Sequence, residues 1–305
     1  YTLWHTLSLH DALPICSEVP GATTPLNVEP LNARVVLKQK VLRSHCPLRR
    51  AIEVCRELDM PIMGRLAMNR HYDSERHPEL QSRFAADHPE YLERDKAGRP
   101  VTHKLCYAVE EVRQARIDIL LEIQRTGVDA LVPNFCRQVP VLMYHEALTG
   151  PYERHAGRDP RSIDSDNPDD YRDWWQYRAD VLTGFMRELR RGQRRQEQEL
   201  GRACPVVARV PDSNAWISLA MGLDLERWLA EDLIDATMLS PFPLMQEDLG
   251  HYPELHVGMA HGHGKACIGG VGSLNLMRGH GTDDIARHKT FFVPRPVYRL
   301  AQRQY

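Results

Sequence analysis

The sequence predicts an α/β chain of the (β/α)8 TIM-barrel class, incomplete at both ends, and three observations carry that prediction. Short apolar runs rich in β-formers alternate with stretches of helical periodicity. The runs are apolar throughout, as strands buried on both faces of a parallel sheet are. The 305 residues also suit one barrel of roughly 250 residues better than two small domains.

Residues 1–16, YTLWHTLSLHDALPIC, fit no part of that alternation. They read as translated sequencing-adapter read-through, with a short natural N-terminal arm as the alternative, and on either reading they are set aside from fold reasoning. That leaves 17–305 as a single barrel domain. Residues 35–42 offer an extra strand ahead of the clear ones. From 47 to 58 the apolar positions Leu48, Ala51, Ile52, Cys55 and Leu58 form one helical stripe. The next apolar run, 61–67, is a buried strand. A long polar stretch, 69–103, follows, with turn chemistry at Lys96-Ala97-Gly98-Arg99-Pro100. An excursion of that length in a barrel belongs to the functional face.

The pattern then repeats. Val112, Ala115, Ile119, Leu120 and Ile123 make a helical stripe, Gly127 stops it, and 128–135 is a strand. A second long loop, 136–169, leads to a helix over 170–191 with Trp174, Val181, Leu182, Phe185 and Leu189 on one face. Its charged continuation, RRGQRRQEQELGR, is a solvated helix end. Strands follow at 205–210, 233–239 and 266–271, with helices at 223–230, 253–261 and 297–305. Five strands are clear, whereas closure takes eight, so truncation before the last strand is expected. An open doubly wound sheet is the structural alternative. No glycine-rich phosphate loop follows any strand, which argues against a nucleotide-binding version.

Bulk properties narrow the partners. A formal net charge of −2 gives no basic face for nucleic acid. No run of about 18 apolar residues appears, so no membrane span is expected. The seven cysteines, at 16, 46, 55, 106, 136, 204 and 267, are scattered without a CxxC pair. They read as buried thiols rather than a disulfide framework or a zinc site, and no cofactor is expected. Localisation is left open, because an export signal would lie upstream of this sequence.

Three stretches carry a family resemblance. The first is Gly64-Arg65-Leu66-Ala67-Met68-Asn69-Arg70-His71-Tyr72-Asp73, with His88-Pro89-Glu90-Tyr91-Leu92 downstream. The second spans 109–137, and the third runs from Trp174 through Arg209-Val210-Pro211 to Gly222-Leu223-Asp224 and Trp228. In this order they resemble the glycosyl-hydrolase-like family 10 proteins. The resemblance covers about 47–305 and implies a carbohydrate-processing barrel. One departure stands out: the family's strand end Leu-Asp-Phe is here Pro133-Asn134-Phe135. An amide is neither a nucleophile nor a general base. The chain also lacks the Asn-Glu pair that true family 10 xylanases place after their fourth strand.

Glycoside hydrolysis calls for two carboxyl groups about 5.5 Å apart for retention, or roughly 6.5–9.5 Å for inversion. In a barrel they project from strand carboxyl ends or the loops beyond. Asp212, Glu146 and Asp73 are the catalytic candidates on that ground; Glu247 and Asp248 also follow a strand. Asp212 lies directly past a strand, although Pro-Asp-Ser-Asn is equally a turn. Arg65, Arg137 and Arg209 stand at or near strand ends, where guanidinium forks bind hydroxyl pairs, carboxylates or sulfates. Ion pairing within the barrel is the plainer role for any one of them. Asn69, His71, Asn134, Tyr144, His145 and Ser240 complete the expected polar pocket, and His145 beside Glu146 suggests proton transfer.

His261 and His263 precede a strand and so fall on the amino-terminal face, as surface residues rather than metal ligands. Trp174 and Trp228 have the spacing of core residues, while Trp175 and Trp216 are candidates for stacking on sugar. Three functions remain open: a glycoside hydrolase, a catalytically degenerate glycan-binding barrel, and, weakest, a metal-dependent amidohydrolase. The last needs a His-x-His at an early strand's carboxyl end, which the sequence lacks.

Overall fold

The structure is a computed structural model that describes residues 17–22, 33–68, 82–136, 140–163, 168–240 and 252–269. Among these, five strands form one parallel sheet: β1 (Met63–Ala67), β4 (Ala130–Asn134), β5 (Val207–Pro211), β6 (Ala236–Ser240) and β7 (Ala266–Ile268). They are hydrogen-bonded in the order β1-β4-β5-β6-β7, every neighbouring pair parallel. Sequential parallel strands with helical crossovers are the arrangement of an incomplete (β/α)8 barrel.

The helices are α1 (Ala33–Ser44), α2 (Pro47–Glu57), α3 (Arg83–Asp87), α4 (Glu110–Arg125), α5 (Glu146–Ala156), α6 (Pro168–Leu200), α7 (Ala215–Ala220), α8 (Leu225–Ala230) and α9 (Pro253–Gly262). An antiparallel pair, β2 (Leu92–Arg94) with β3 (Pro100–Leu105), sits in the excursion between β1 and α4. Its turn is built by Asp95, whose Oδ1 accepts the N–H groups of Ala97 and Arg99.

Two expectations are corrected. Residues 35–42, offered as a strand, lie inside α1; their apolar residues lack strand alternation and Val36 and Leu37 are exposed. Leu58, expected on the buried stripe of α2, is the C-cap and points to solvent, whereas Ile52 and Cys55 are buried as expected. The strand expected over 266–271 is described for Ala266–Ile268, and the helix at 297–305 lies outside the described residues.

Side chains alternate across each strand, and the two faces have different neighbours. Outward-pointing Leu66, Leu131, Ala208, Val210, Leu239 and Cys267 join the main core under the helices, with Trp174, Leu182, Phe185, Leu189 and Trp228. Inward-pointing Met63, Ala130, Val132, Val207, Ala236 and Met238 form a separate cluster, packed against by Ile268. That cluster is the floor of the barrel interior.

The helix layer lies close. A Cβ on Gly64 would stand 2.2 Å from Ile123 Cγ2 of α4, so only glycine lets this helix dock on β1. At the amino-terminal edge two aspartates repeat one device. Asp129 Oδ2 accepts the N–H of Ile62, and Asp235 Oδ2 accepts that of Val206. Asp235 is also held by both terminal nitrogens of Arg190, at 2.7 and 2.6 Å. The described cysteines are free thiols, buried except for the half-buried Cys46.

Candidate functional site

The alternation that points Met63, Val132, Val207 and Met238 inward also fixes where the polar strand residues face. Arg65 is two residues beyond Met63, Asn134 two beyond Val132, Arg209 two beyond Val207, and Ser240 two beyond Met238. All four therefore look into the barrel interior, above its apolar floor. The register brings them together: Asn134 pairs with Arg209, and Pro211 with Ser240. Neighbouring strands lie about 4.8 Å apart, so Asn134 and Arg209 are side by side. Arg65, which pairs with Val132, lies one inward step lower.

Arg209 runs toward the carboxyl ends. Its Nη2 donates to Ser240 Oγ at 2.8 Å, although its backbone pairs with Met238, two residues earlier. Asn134 is fully buried, and its orientation is set by the N–H of Cys136, which donates to Oδ1 at 3.2 Å. Only the carbonyl oxygen can accept that proton, so Nδ2 is directed elsewhere. No acceptor meets it among the described residues. Along the inward positions of the five strands two guanidiniums occur and no carboxylate.

The other candidates are placed differently. Asp212, just past β5, is half-buried; its Oδ1 accepts the N–H of Tyr252, the N-cap of α9, at 2.9 Å. Next to it, His256 of α9 donates through Nε2 to Ser213 O at 2.7 Å, and burial holds its imidazole below the ordinary value. Tyr144, His145 and Glu146 gather against β2. Tyr144 donates its N–H to Arg94 O, and its ring stacks on Trp174.

His145 caps α5, accepting the N–H of Ala147 at Nδ1 and donating through Nε2 to Glu90 O. Both ring nitrogens are thus engaged by backbone. Glu146 is 72% exposed at the side chain and lies 3.9 Å from Arg94 Nε and 3.8 Å from His145 Nε2. Asn69, His71, Asp73, Arg137, Glu247 and Asp248 lie outside the described residues.

A buried charged group between β2, β3 and α6 was not foreseen. Glu93 is fully buried, and burial raises its carboxyl above the ordinary value, opposed in part by the nearby Lys104 ammonium. Lys104 donates to Pro140 O at 2.9 Å, and burial holds its ammonium down to about 8. Arg178 of α6 donates to Leu142 O and Ala220 O, at 2.8 and 2.7 Å; burial lowers it to about 10. Together Lys104 and Arg178 fasten the loop that carries the chain from Asn134 to α5. In sequence, a lone Glu in LER and a Lys in PVTHKL look like solvated hairpin residues. The hairpin turn was the available signal, since burial of one hairpin face follows from packing it on a helix.

Trp174 and Trp228 are fully buried core residues, as their spacing predicts. Trp175 and Trp216 are half-buried and meet edge-on, with ring centroids 4.9 Å apart and the Arg172 guanidinium 5.2 Å from Trp216. His261 and His263 are exposed at the end of α9, and no group of three metal-ligating side chains converges among the described residues. No helix of the described residues is long and apolar enough to cross a membrane.

No family model matches the chain, and no curated protein does. Among solved structures, the catalytic domain of beta-amylase from Paenibacillus polymyxa is similar in fold, with a TM-score of 0.50 and 8% identity. The likeness covers 72% of this chain and 72% of that one. The beta-galactosidase of the psychrophilic Marinomonas ef1 matches at a TM-score of 0.45 and 14% identity, over 66% of this chain but 34% of its own. A glycoside hydrolase family 18 N-acetylglucosaminidase from Paenibacillus barengoltzii matches at 0.32 and 16%, over 64% of this chain and 40% of its own. The first of these likenesses shows the fold alone, a (β/α)-barrel, and the chain spans well under two thirds of the other two proteins.

Proposed function

We propose that the protein takes a glycan at the carboxyl rim of its barrel domain and hydrolyses a glycosidic bond there. One observation carries the binding half of that reading: Arg65, Asn134, Arg209 and Ser240 face inward from four neighbouring strands, above an apolar floor. Convergent donors on a shaped interior wall suit a polyhydroxylated ligand, and barrels hold their ligands at this end. The resemblance of three segments to the glycosyl-hydrolase-like family 10 proteins supports the same reading.

For hydrolysis, Asp212 is the first candidate, partnered by Glu146 or Asp73. Asp212 follows a strand end directly, and its oxygen held by the Tyr252 N–H would steady the carboxylate's orientation. Arg137, Asn69, His71, Tyr144 and His145 belong to the proposed pocket as residues lining its loops. Release of reducing sugar from a polysaccharide panel, lost in Asp212→Ala while the variant still folds, tests this reading. Full activity in that variant removes Asp212 from the chemistry.

Binding without turnover is the second reading, and Asn134 favours it. Where the resembling family ends this strand with a carboxylate, the amide here lacks an anionic oxygen for nucleophilic or base catalysis. Saturable glycan binding with no new reducing ends across the same panel would select it.

A further inference from the structure

We propose that the glycan recognised at this rim is acidic, and that Arg209 and Asn134 jointly read a sugar carboxylate, as on a uronic acid. The inference rests on the glycan reading above and sharpens it to a substrate class.

Charge balance in the barrel interior supports it. Arg209 is half-buried, and its hydrogen bond among the described residues is to a neutral hydroxyl, Ser240 Oγ. A guanidinium partly shielded from water is matched best by an anionic partner with two oxygens. No described carboxylate forms an ion pair with it, and no inward position on the five strands carries one. The counter-charge is therefore absent from the described wall, and a bound anion would supply it.

Donor geometry narrows the anion. Asn134 stands beside Arg209 in register, fully buried, with Nδ2 unpartnered because Oδ1 is held by the Cys136 N–H. A buried amide donor without an acceptor is costly, and such exceptions call for a missing partner. The guanidinium fork and the adjacent amide together offer donors to one planar group bearing two oxygens, which is a carboxylate. Neutral sugar hydroxyls satisfy hydrogen bonds but leave the charge uncompensated.

Titration calorimetry with trigalacturonate, tri-glucuronate and alginate trimers tests the proposal, each acid run beside its methyl ester. The esters keep ring shape and hydroxyls while removing the charge. At least one acid is expected to bind about tenfold or more tighter than its ester, as for a desolvated charge pair. Arg209→Gln should bring acid and ester to near-equal affinity. Should Arg209→Gln fail to fold, the near-isosteric Asn134→Asp serves instead. It sets an anion beside the guanidinium and should abolish the acid preference.

Equal binding of acid and ester by the wild type overturns the charge assignment while leaving the glycan reading intact. So does a preference that survives both variants, or one for sulfated neutral trimers over every uronate. Failure of every glycan, acidic, neutral or sulfated, to bind removes the glycan reading itself.

Discussion

Arg209 Nη2 reaches Ser240 Oγ across the β5–β6 boundary, at 2.8 Å, and thereby aims a cationic fork at the carboxyl mouth of the barrel. The hydroxyl does not neutralise the charge. It fixes direction, which is what a binding group needs before a ligand arrives. Ser240→Ala should therefore weaken glycan binding by about threefold to tenfold, the worth of one hydrogen bond. Urea unfolding should shift little, because only one hydroxyl is lost and the remaining methyl keeps the side chain's place. Unchanged affinity would mean that the guanidinium is oriented by something else.

Gly64 predicts a cost one residue away from Arg65. A methyl there would meet Ile123 Cγ2 at 2.2 Å and Val128 Cγ1 at 3.2 Å, with β1 already packed between α4 and the interior. Gly64→Ala should lose about 1–3 kcal/mol of stability through overpacking, measured as a lower urea midpoint at unchanged slope. A neutral outcome would show that α4 can retreat from the sheet.

At the opposite end of the strands, Asp235 joins Arg190 to the N–H of Val206. Removing the carboxylate in Asp235→Ala strands a guanidinium that is 10% exposed and frees a strand-edge donor. The expected loss is about 3 kcal/mol. Glycan affinity, referred to folded protein, should stay constant, since the pair sits on the amino-terminal edge.

Lys104 gives a pH signature. Burial lowers its folded value from 10.5 to about 8, so between those values the unfolded chain binds more protons than the folded one. Stability contributed by this group therefore rises with pH through that window and is lost as pH falls through about 8. Tyr107, pushed up to about 12 by burial, acts in the opposite sense at higher pH, so the comparison is best made below pH 10. The difference in urea midpoint between wild type and Lys104→Met should grow in favour of wild type from about pH 8 to 10. A flat difference would place the ammonium in water.

The strands were legible because parallel strands covered on both faces are apolar without interruption. Met63–Ala67, Ala130–Asn134, Val207–Pro211 and Ala236–Ser240 each fall within or one residue past the runs that the sequence marks. Helix α6 was legible through the spacing of Trp174, Leu182, Phe185 and Leu189. Helix α5 was not: Gly150 and Pro151 interrupt its pattern, and its N-cap is a histidine rather than a short polar residue.

The inward-facing set was half legible. A polar residue near the end of an apolar strand is visible in sequence, but which face it takes depends on strand register and on one-residue parity. That Arg65, Asn134, Arg209 and Ser240 share a face, while Asp212 turns toward α9, follows from pairing that no single strand encodes. Likewise, the hairpin turn at Asp95 signals only that one face of β2 and β3 is covered; that Glu93 and Lys104 are the covered residues arises from contact with α6 and the loop after β4.

The most direct measurement is a crystal structure of the protein soaked with a glycan that it binds. The sugar should lie over the inward face of the β4 and β5 carboxyl ends, within hydrogen-bond reach of Arg209 Nη1 and Asn134 Nδ2. A sugar seated on the outer helices or at the amino-terminal edge near Asp129 and Asp235, with the rim empty, would contradict it.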